Sequence, residues 1–168
     1  MSDFFWSEDP SIQLKSNGKS LEYSCFGPSP DQATTILLLH EGLGCVALWR
    51  NFPAKLAKAS GFGVMAYSRA GYGQSDPADL PRPLDYMTRE AVDSLPQLIA
   101  AAGLQQIILL GHSDGASIAA IYGGSVEDHR VRGLILMAPH FFTENMGLAS
   151  IAEAKVAYEN TDLSTRMS

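Results

Sequence analysis

The chain has 168 residues, of which 46% are hydrophobic and 18% charged, and its formal net charge is −6. This length predicts a single domain with one core, and the acidic balance with no basic stripe argues against a nucleic-acid surface. The opening segment MSDFFWSEDP lacks the charged and apolar parts of a signal peptide, and no apolar run is long enough to cross a bilayer. We therefore expect a cytoplasmic protein without membrane or nucleic-acid partners.

Strands and helices alternate along the chain. In chain order, apolar patterning and turn residues predict strands at 20–27 and 34–40, a helix at 46–60, a strand at 63–68, a helix at 85–103 kinked at Pro96, a strand at 105–112, a helix at 113–124, a strand at 131–139 and a helix at 147–160. This alternation predicts an α/β fold, with a mostly parallel sheet and helices on both faces.

The segment GHSDG lies where the strand at 105–112 meets the next helix. Its Gly111, Ser113 and Gly115 fill the G-x-S-x-G pattern of a nucleophile elbow, a strained turn that exposes the serine hydroxyl. Side chains at the two glycine positions would collide with so tight a turn. The amide of Asp114, at the start of the helix, can stabilise an oxyanion. The alternative is an ordinary N-cap serine between turn glycines, but the strand before and the helix after favour a catalytic serine.

Two glycine-rich loops follow earlier strands. In HEGLG, residues 40–44, a backbone amide can turn toward the serine, and we assign this second oxyanion donor to Gly42 or, as the alternative, Leu43. YSRAGYGQSDP, residues 67–77, lacks the third glycine and the later acidic residue of a dinucleotide site, so we expect it to shape the sheet edge. No spacing typical of metal ligands occurs, and we expect no metal or organic cofactor.

Together these segments resemble the α/β-hydrolase superfamily from about Leu21 to Phe142. The resemblance implies that Ser113 is the nucleophile and that the amides of Gly42 and Asp114 hold the oxyanion. A serine at this position argues against the branches with an aspartate nucleophile, the dehalogenases and epoxide hydrolases. The implied function is a serine hydrolase that acts by acyl transfer on an ester or related carbonyl compound as its small-molecule substrate, and a lyase or C–C-bond hydrolase on the same scaffold is an alternative. Candidate residues that contact substrate are Leu43, Tyr72, His140 and Phe141.

The family's catalytic acid and histidine follow the serine in the chain, and this order cannot be completed here because no histidine follows His140. We expect a structural role for His40, a side chain turned away from the serine for His112, and a solvated one for His129. Only His140, at the end of the fifth strand, is a candidate base, and we assign it to substrate binding.

The resemblance therefore implies a hydrolase fold that lacks its C-terminal strands. Residues 1–146 would be the N-terminal part of the core domain, and residues 147–168 the start of a helical cap. A truncated or non-catalytic hydrolase-like chain is the second alternative for the function. The strand at 131–139 would then be an uncovered edge, through which a second copy of the chain could pair.

Overall fold

The computed structural model describes residues 4–142 and 144–162. The strands are β1 (Gln13–Ser16), β2 (Lys19–Phe26), β3 (Thr35–Leu39), β4 (Gly63–Tyr67), β5 (Ile107–His112) and β6 (Val131–Met137). The helices are α1 (Phe52–Ser60), α2 (Tyr86–Arg89), α3 (Leu95–Ala101), α4 (Asp114–Ser125) and α5 (Asn145–Asn160), with a 3-10 turn at Val46–Trp49 and a π-helical segment at Glu90–Ser94.

The described strands form a six-stranded sheet in the order β1-β2-β4-β3-β5-β6. β3 pairs in parallel with β4 and β5, and β5 with β6, whereas β1 and β2 form an antiparallel hairpin that joins β4. The predicted α/β class with a mostly parallel sheet is confirmed. β1 was not predicted, although Asn17 and Gly18, both at positive φ, form the two-residue turn that is typical of a tight hairpin.

Both faces of the sheet are covered by helices. Side chains of β3 alternate between the two faces, because successive residues of a strand point to opposite sides. Leu37 belongs to the apolar cluster that includes Leu98 of α3 and Ile118 of α4, whereas Leu38 packs in a second cluster with Ala57 of α1. This burial on two sides explains why central strands read as continuous apolar runs rather than as alternating ones.

The helix predicted at 46–60 is interrupted. Arg50 has φ 52° and separates the 3-10 turn from α1. Pro53 lies in the first turn of α1, where its missing N–H costs nothing, but a continuous helix would need that N–H to bond the carbonyl of Trp49. The prediction of one unbroken helix was therefore wrong.

The helix predicted at 85–103 contains the expected irregularity before Pro96. Residues Glu90–Ser94 form a π-helical turn between α2 and α3. A proline ring clashes with the carbonyl four residues earlier and cannot bond to it, and a wider turn relieves that conflict. The kink predicted at Pro96 thus takes the form of a π turn.

β6 is the edge of the sheet among the described strands, and its side chains at Leu134, Ile135 and Met137 are each at least 40% exposed. α5 begins at Asn145 rather than at 147, so the predicted boundary between 146 and 147 falls in its first turn. Residues 163–168 of the predicted cap segment lie outside the described residues. No described helix has the length and apolar character required to span a bilayer.

Candidate active site

The turn at Ser113 has the strained backbone that the sequence predicts. Ser113 adopts φ 54° and ψ −116°, a conformation that is rare for residues other than glycine. Its amide donates to the carbonyl oxygen of Met137 at 2.8 Å, which ties the turn to the edge strand. The hydroxyl makes no capping bond to α4, so the structure contradicts the N-cap alternative.

Gly111 and Gly115 are required by close backbone packing at this turn. A Cβ atom on Gly111 would lie 2.3 Å from the carbonyl oxygen of Gly115, and one on Gly115 would lie 2.0 Å from the carbonyl oxygen of Leu39. Neither neighbour is a flexible side chain that could move aside. The glycines therefore bring α4 directly against the end of β3, as the elbow pattern predicts.

The loop after β3, residues 40–44, is fixed by two buried side chains. His40 accepts a hydrogen bond at Nε2 from the Arg69 amide at 3.0 Å, and its Nδ1 lies 2.7 Å from the carbonyl oxygen of Glu41. The Arg69 guanidinium donates to the carbonyl oxygens of His40 and Glu41 at 2.7 and 3.0 Å. Because Nε2 is an acceptor, the proton belongs on Nδ1. The ring of His40 thus has the structural role that the sequence predicts.

Burial keeps His40 neutral. Burial, and after it the positive charge of Arg69, lower the pKa of the imidazole to about 3. A charged ring would be desolvated and would lose the hydrogen bond that Nε2 accepts. His40 is therefore unsuited to proton transfer near neutral pH.

We predict that acidification destabilises the fold in part through His40. Between pH 6.5, its ordinary value, and pH 3, the unfolded chain binds a proton here that the folded chain does not. The free energy of unfolding should fall as pH falls across this window, by up to about 1.4 kcal/mol per pH unit. Urea unfolding at pH 7 and 5.5 measures this slope, which should be shallower in His40→Gln and unchanged in the exposed control His129→Gln. Equal slopes in all three proteins would contradict the prediction.

The two candidate donors in this loop differ in their contacts. The amide of Leu43 donates to the Glu41 carboxylate at 3.3 Å, so that amide already has an acceptor. A Cβ on Gly42 would lie 3.0 Å from Oδ2 of Asp114, so Gly42 lies beside the residue that is expected to supply the other donor. This geometry favours Gly42 over Leu43.

Asp114, at the first position of α4, combines a backbone amide and a carboxylate at the site. As with any residue at this position, its amide has no acceptor within the helix. Its carboxylate accepts a hydrogen bond at Oδ2 from the Tyr86 hydroxyl of α2. Burial and the carboxylate itself raise the pKa of the Tyr86 phenol, so this hydroxyl remains a donor.

His140 contacts the candidate nucleophile directly. Its Nε2 lies 2.7 Å from Oγ of Ser113 and 3.7 Å from Oδ1 of Asp114. His112, by contrast, lines a separate cavity of about 200 Å³ with His40 and Trp49. The His129 side chain is 92% exposed, as expected.

A largely apolar cleft of about 620 Å³ opens beside Asp114 and His140, and Phe142, Met146, Leu148 and Ile151 also line it. Phe141, a predicted substrate contact, is not among the described residues that line this cleft, whereas its neighbour Phe142 is. Tyr72 lies elsewhere: its ring packs against His40 and its hydroxyl accepts a hydrogen bond from Arg82. Leu43 is 65% exposed on the neighbouring loop.

Three residues that shape the site were not predicted from the sequence. They are Arg69 beneath the loop, Tyr86 against Asp114, and Ser117, whose hydroxyl accepts a hydrogen bond from the His140 amide at 2.8 Å. Each acts through a partner distant in sequence, so no local motif marks it.

Comparisons with known proteins agree with this fold. Residues 34–158 match the family model of the alpha/beta hydrolase fold. The chain is 31% identical over 135 residues to the Homo sapiens protein named 1-acylglycerol-3-phosphate O-acyltransferase ABHD5, a match that covers 80% of this chain and 38% of that protein. It is 34% identical over 110 residues to the proline iminopeptidase of Lactobacillus delbrueckii subsp. bulgaricus, covering 66% of this chain and 37% of that enzyme.

Solved structures share the fold. A structure reported in a study of carboxylesterases from the thaumarchaeon Nitrososphaera gargenis superimposes with a TM-score of 0.69 and 20% identity. That superposition covers 89% of this chain and 53% of the other. The chain thus spans well under half the length of the two curated relatives named above and about half of this structural neighbour.

Proposed function

Because the chain belongs to the α/β-hydrolase family, we propose that it is a serine hydrolase that transfers the acyl group of an ester or related carbonyl compound to water. Ser113 is the proposed nucleophile, and the amides of Gly42 and Asp114 are the proposed oxyanion donors. The Leu43 amide remains the alternative donor, because it already donates a hydrogen bond to the Glu41 carboxylate.

The observation that carries this proposal is the strained backbone of Ser113. A φ of 54° at a serine costs free energy, of the order of 1–3 kcal/mol. The glycines at 111 and 115 allow the packing that maintains this turn, and the hydroxyl faces an imidazole nitrogen rather than capping α4. A structural serine would gain nothing from this arrangement, whereas a nucleophile gains an accessible hydroxyl beside the amides of a helix start.

The proposed reaction has two stages. Oγ of Ser113 forms a bond to the carbonyl carbon and gives its proton to a base, while the carbonyl oxygen becomes an oxyanion beside the amides of Gly42 and Asp114. Collapse of this intermediate breaks the bond to the leaving alcohol, which takes up the proton. Water then attacks the acyl-enzyme in the same way and releases the acid.

The names of two similar proteins support acyl chemistry. The human relative is named for O-acyl transfer, and the bacterial relative is named a proline iminopeptidase. Both names describe reactions at a carbonyl carbon. The apolar lining of the cleft fits the acyl or alcohol part of an uncharged ester.

Hydrolysis of p-nitrophenyl acetate by the purified chain tests this proposal. We expect a measurable rate that falls to the uncatalysed background in Ser113→Ala, because loss of the nucleophile costs up to about a millionfold in a well-studied hydrolase. Ser125→Ala, at the exposed end of the same helix, is the matched control and should retain the wild-type rate. Hydrolysis that persists unchanged in Ser113→Ala would show that another group is responsible.

A further inference from the structure

We propose that His140 is the general base that activates Ser113 in this chain, and that the Asp114 carboxylate stabilises the protonated form of its ring. This inference rests on the proposed function, since it supplies the base that acyl transfer by Ser113 requires. It departs from the superfamily's order, in which the acid and then the histidine follow the serine in the chain. Here the carboxylate is the residue next to the nucleophile, and the histidine follows β6.

The path of the chain after β6 brings His140 to the serine. β6 pairs in parallel with β5 up to the pair His112 and Met137, so the two strands end at the same edge of the sheet. Ala138 then adopts φ 49°, which turns the chain sharply at the level of the elbow. Two residues later, the His140 ring meets Oγ of Ser113 at 2.7 Å.

Ser117 fixes the backbone of His140 to the helix that carries the nucleophile. Its hydroxyl accepts a hydrogen bond from the His140 amide at 2.8 Å and lies 3.4 Å from the carbonyl oxygen of Ser113, four residues earlier. The Ser117 side chain is only 4% exposed, so this connection lies inside the protein. The backbone of the proposed base is therefore tied to the helix that follows the nucleophile, and this keeps the two groups within the hydrogen-bond distance that proton transfer needs.

Negatively charged side chains lie around the ring. Oδ1 of Asp114 lies 3.7 Å from Nε2, and the Asp114 side chain is 15% exposed. Tyr86 donates to the other carboxylate oxygen, Oδ2, on the side of Gly42, and this leaves Oδ1 toward the histidine. Glu144 lines the same cleft and adds a second negative charge. An imidazolium formed next to the serine during the reaction would therefore lie near two carboxylates. None of the described residues that line the cleft is a lysine or arginine.

The other histidines are unsuited to this role. Both ring nitrogens of His40 are occupied by backbone partners, and its ring is buried. His112 lines a separate cavity together with residues of the loop at 40–44, and His129 is in solvent. The His140 side chain is 57% exposed and borders the cleft, so it can meet a substrate.

In the proposed step, Oγ of Ser113 forms a bond to the substrate carbonyl carbon as its proton moves to Nε2 of His140. The electron pair of the carbonyl double bond moves to oxygen. Nε2 then returns the proton to the leaving alcohol as the bond between carbon and that oxygen breaks. Water is the only other reactant: it attacks the acyl carbon as His140 accepts its proton, and His140 gives that proton to Oγ of Ser113 as the bond between the acyl carbon and Oγ breaks.

The rate of phosphonylation by a fluorophosphonate tests this assignment. In that reaction Oγ bonds to phosphorus, fluoride leaves, and the base takes the hydroxyl proton. The wild-type rate should rise with pH over the range in which histidines lose their proton, about pH 5 to 8. In His140→Gln the rate should fall at least about 100-fold and lose this rise, because general base catalysis contributes about that much or more. In His140→Ala, added imidazole should restore part of the rate, which a merely structural residue would not allow.

Two further variants make the test specific. His129→Gln, in the solvated turn, should keep the wild-type rate and pH profile. Asp114→Asn keeps the backbone amide but removes the charge, and it should slow the reaction by less than His140→Gln; an unchanged or faster rate would remove Asp114 from the assignment.

The outcomes separate this inference from the proposed function. A reaction that needs Ser113 but proceeds within about threefold of the wild-type rate in His140→Gln, with the same pH profile, would overturn the role of His140 alone. No phosphonylation of the wild type at any pH would overturn both. Circular dichroism of His140→Gln should match the wild type, since this side chain is more than half exposed.

Discussion

Replacing Gly115 with alanine should abolish phosphonylation of Ser113 and lower the free energy of unfolding by about 3 kcal/mol. The added Cβ would lie 2.0 Å from the carbonyl oxygen of Leu39 and 2.7 Å from that of His40. Both atoms belong to the buried end of β3 and the loop that follows it, so α4 must move away from the sheet. That movement would displace Ser113 and the Asp114 amide together.

Gly124→Ala is the matched control for this prediction. Gly124 lies in the same helix, but a Cβ there would meet nothing within 4 Å. Alanine should stabilise the helix by about 0.5–1 kcal/mol relative to glycine and leave phosphonylation unchanged. Both variants are also unfolded in urea. Equal phosphonylation rates of Gly115→Ala and Gly124→Ala would show that the reactivity of Ser113 does not depend on the close approach of α4 to β3.

Arg69→Met should lower the free energy of unfolding by about 2–5 kcal/mol and slow phosphonylation by about 100-fold. The guanidinium is 1% exposed and donates to the carbonyl oxygens of His40 and Glu41. Methionine fills similar space but leaves both carbonyls without this donor, at a cost of about 1–3 kcal/mol for each buried group. The loop that carries the Gly42 amide would then lose its anchor.

The control for Arg69 is Arg89→Met, since Arg89 is a largely exposed side chain paired with Asp85 one helical turn away. Exposed pairs of this kind contribute about 0–1 kcal/mol, so Arg89→Met should unfold near the wild-type urea midpoint. Similar unfolding free energies for Arg69→Met and the wild type would mean that the loop is held by other contacts.

Much of the fold follows from local patterns. The apolar runs around Leu37 and Leu109 predict buried strands, and both residues are fully buried in a parallel sheet. The glycine spacing around Ser113 predicts the strained turn because the pattern is a steric requirement of the backbone. Pro96 predicts a kink for the same reason, although not that the kink would be a π turn.

Other features depend on contacts that no local pattern encodes. The position of Arg69 under the loop at 40–44 arises only when β4 lies beside β3. Tyr86 reaches Asp114 across 28 residues of chain, and Gly42 is brought against the same carboxylate from another strand end. Contacts of this kind bear on which amide can serve the serine, and for this reason the sequence left Gly42 and Leu43 as alternatives.

His140 illustrates how a family pattern can direct attention away from a residue. In the superfamily the catalytic histidine follows the acid in the chain, and His140 does not fit that order. For this reason His140 was assigned to substrate binding from the sequence. The sharp turn at Ala138 and the buried hydroxyl of Ser117 bring its ring to Oγ of Ser113 instead. Neither feature has a sequence signal, because an alanine at positive φ is set by its surroundings rather than by its own preference.

The most direct test of the central claim is peptide mapping of the wild-type chain after reaction with a fluorophosphonate. We expect one phosphonyl group per chain, attached to Ser113 in the peptide that contains GHSDG, and no reaction once the chain is unfolded in urea. Absence of the adduct from the folded chain, or its attachment to another residue, would contradict the role of Ser113 and favour a hydrolase-like chain without catalytic activity.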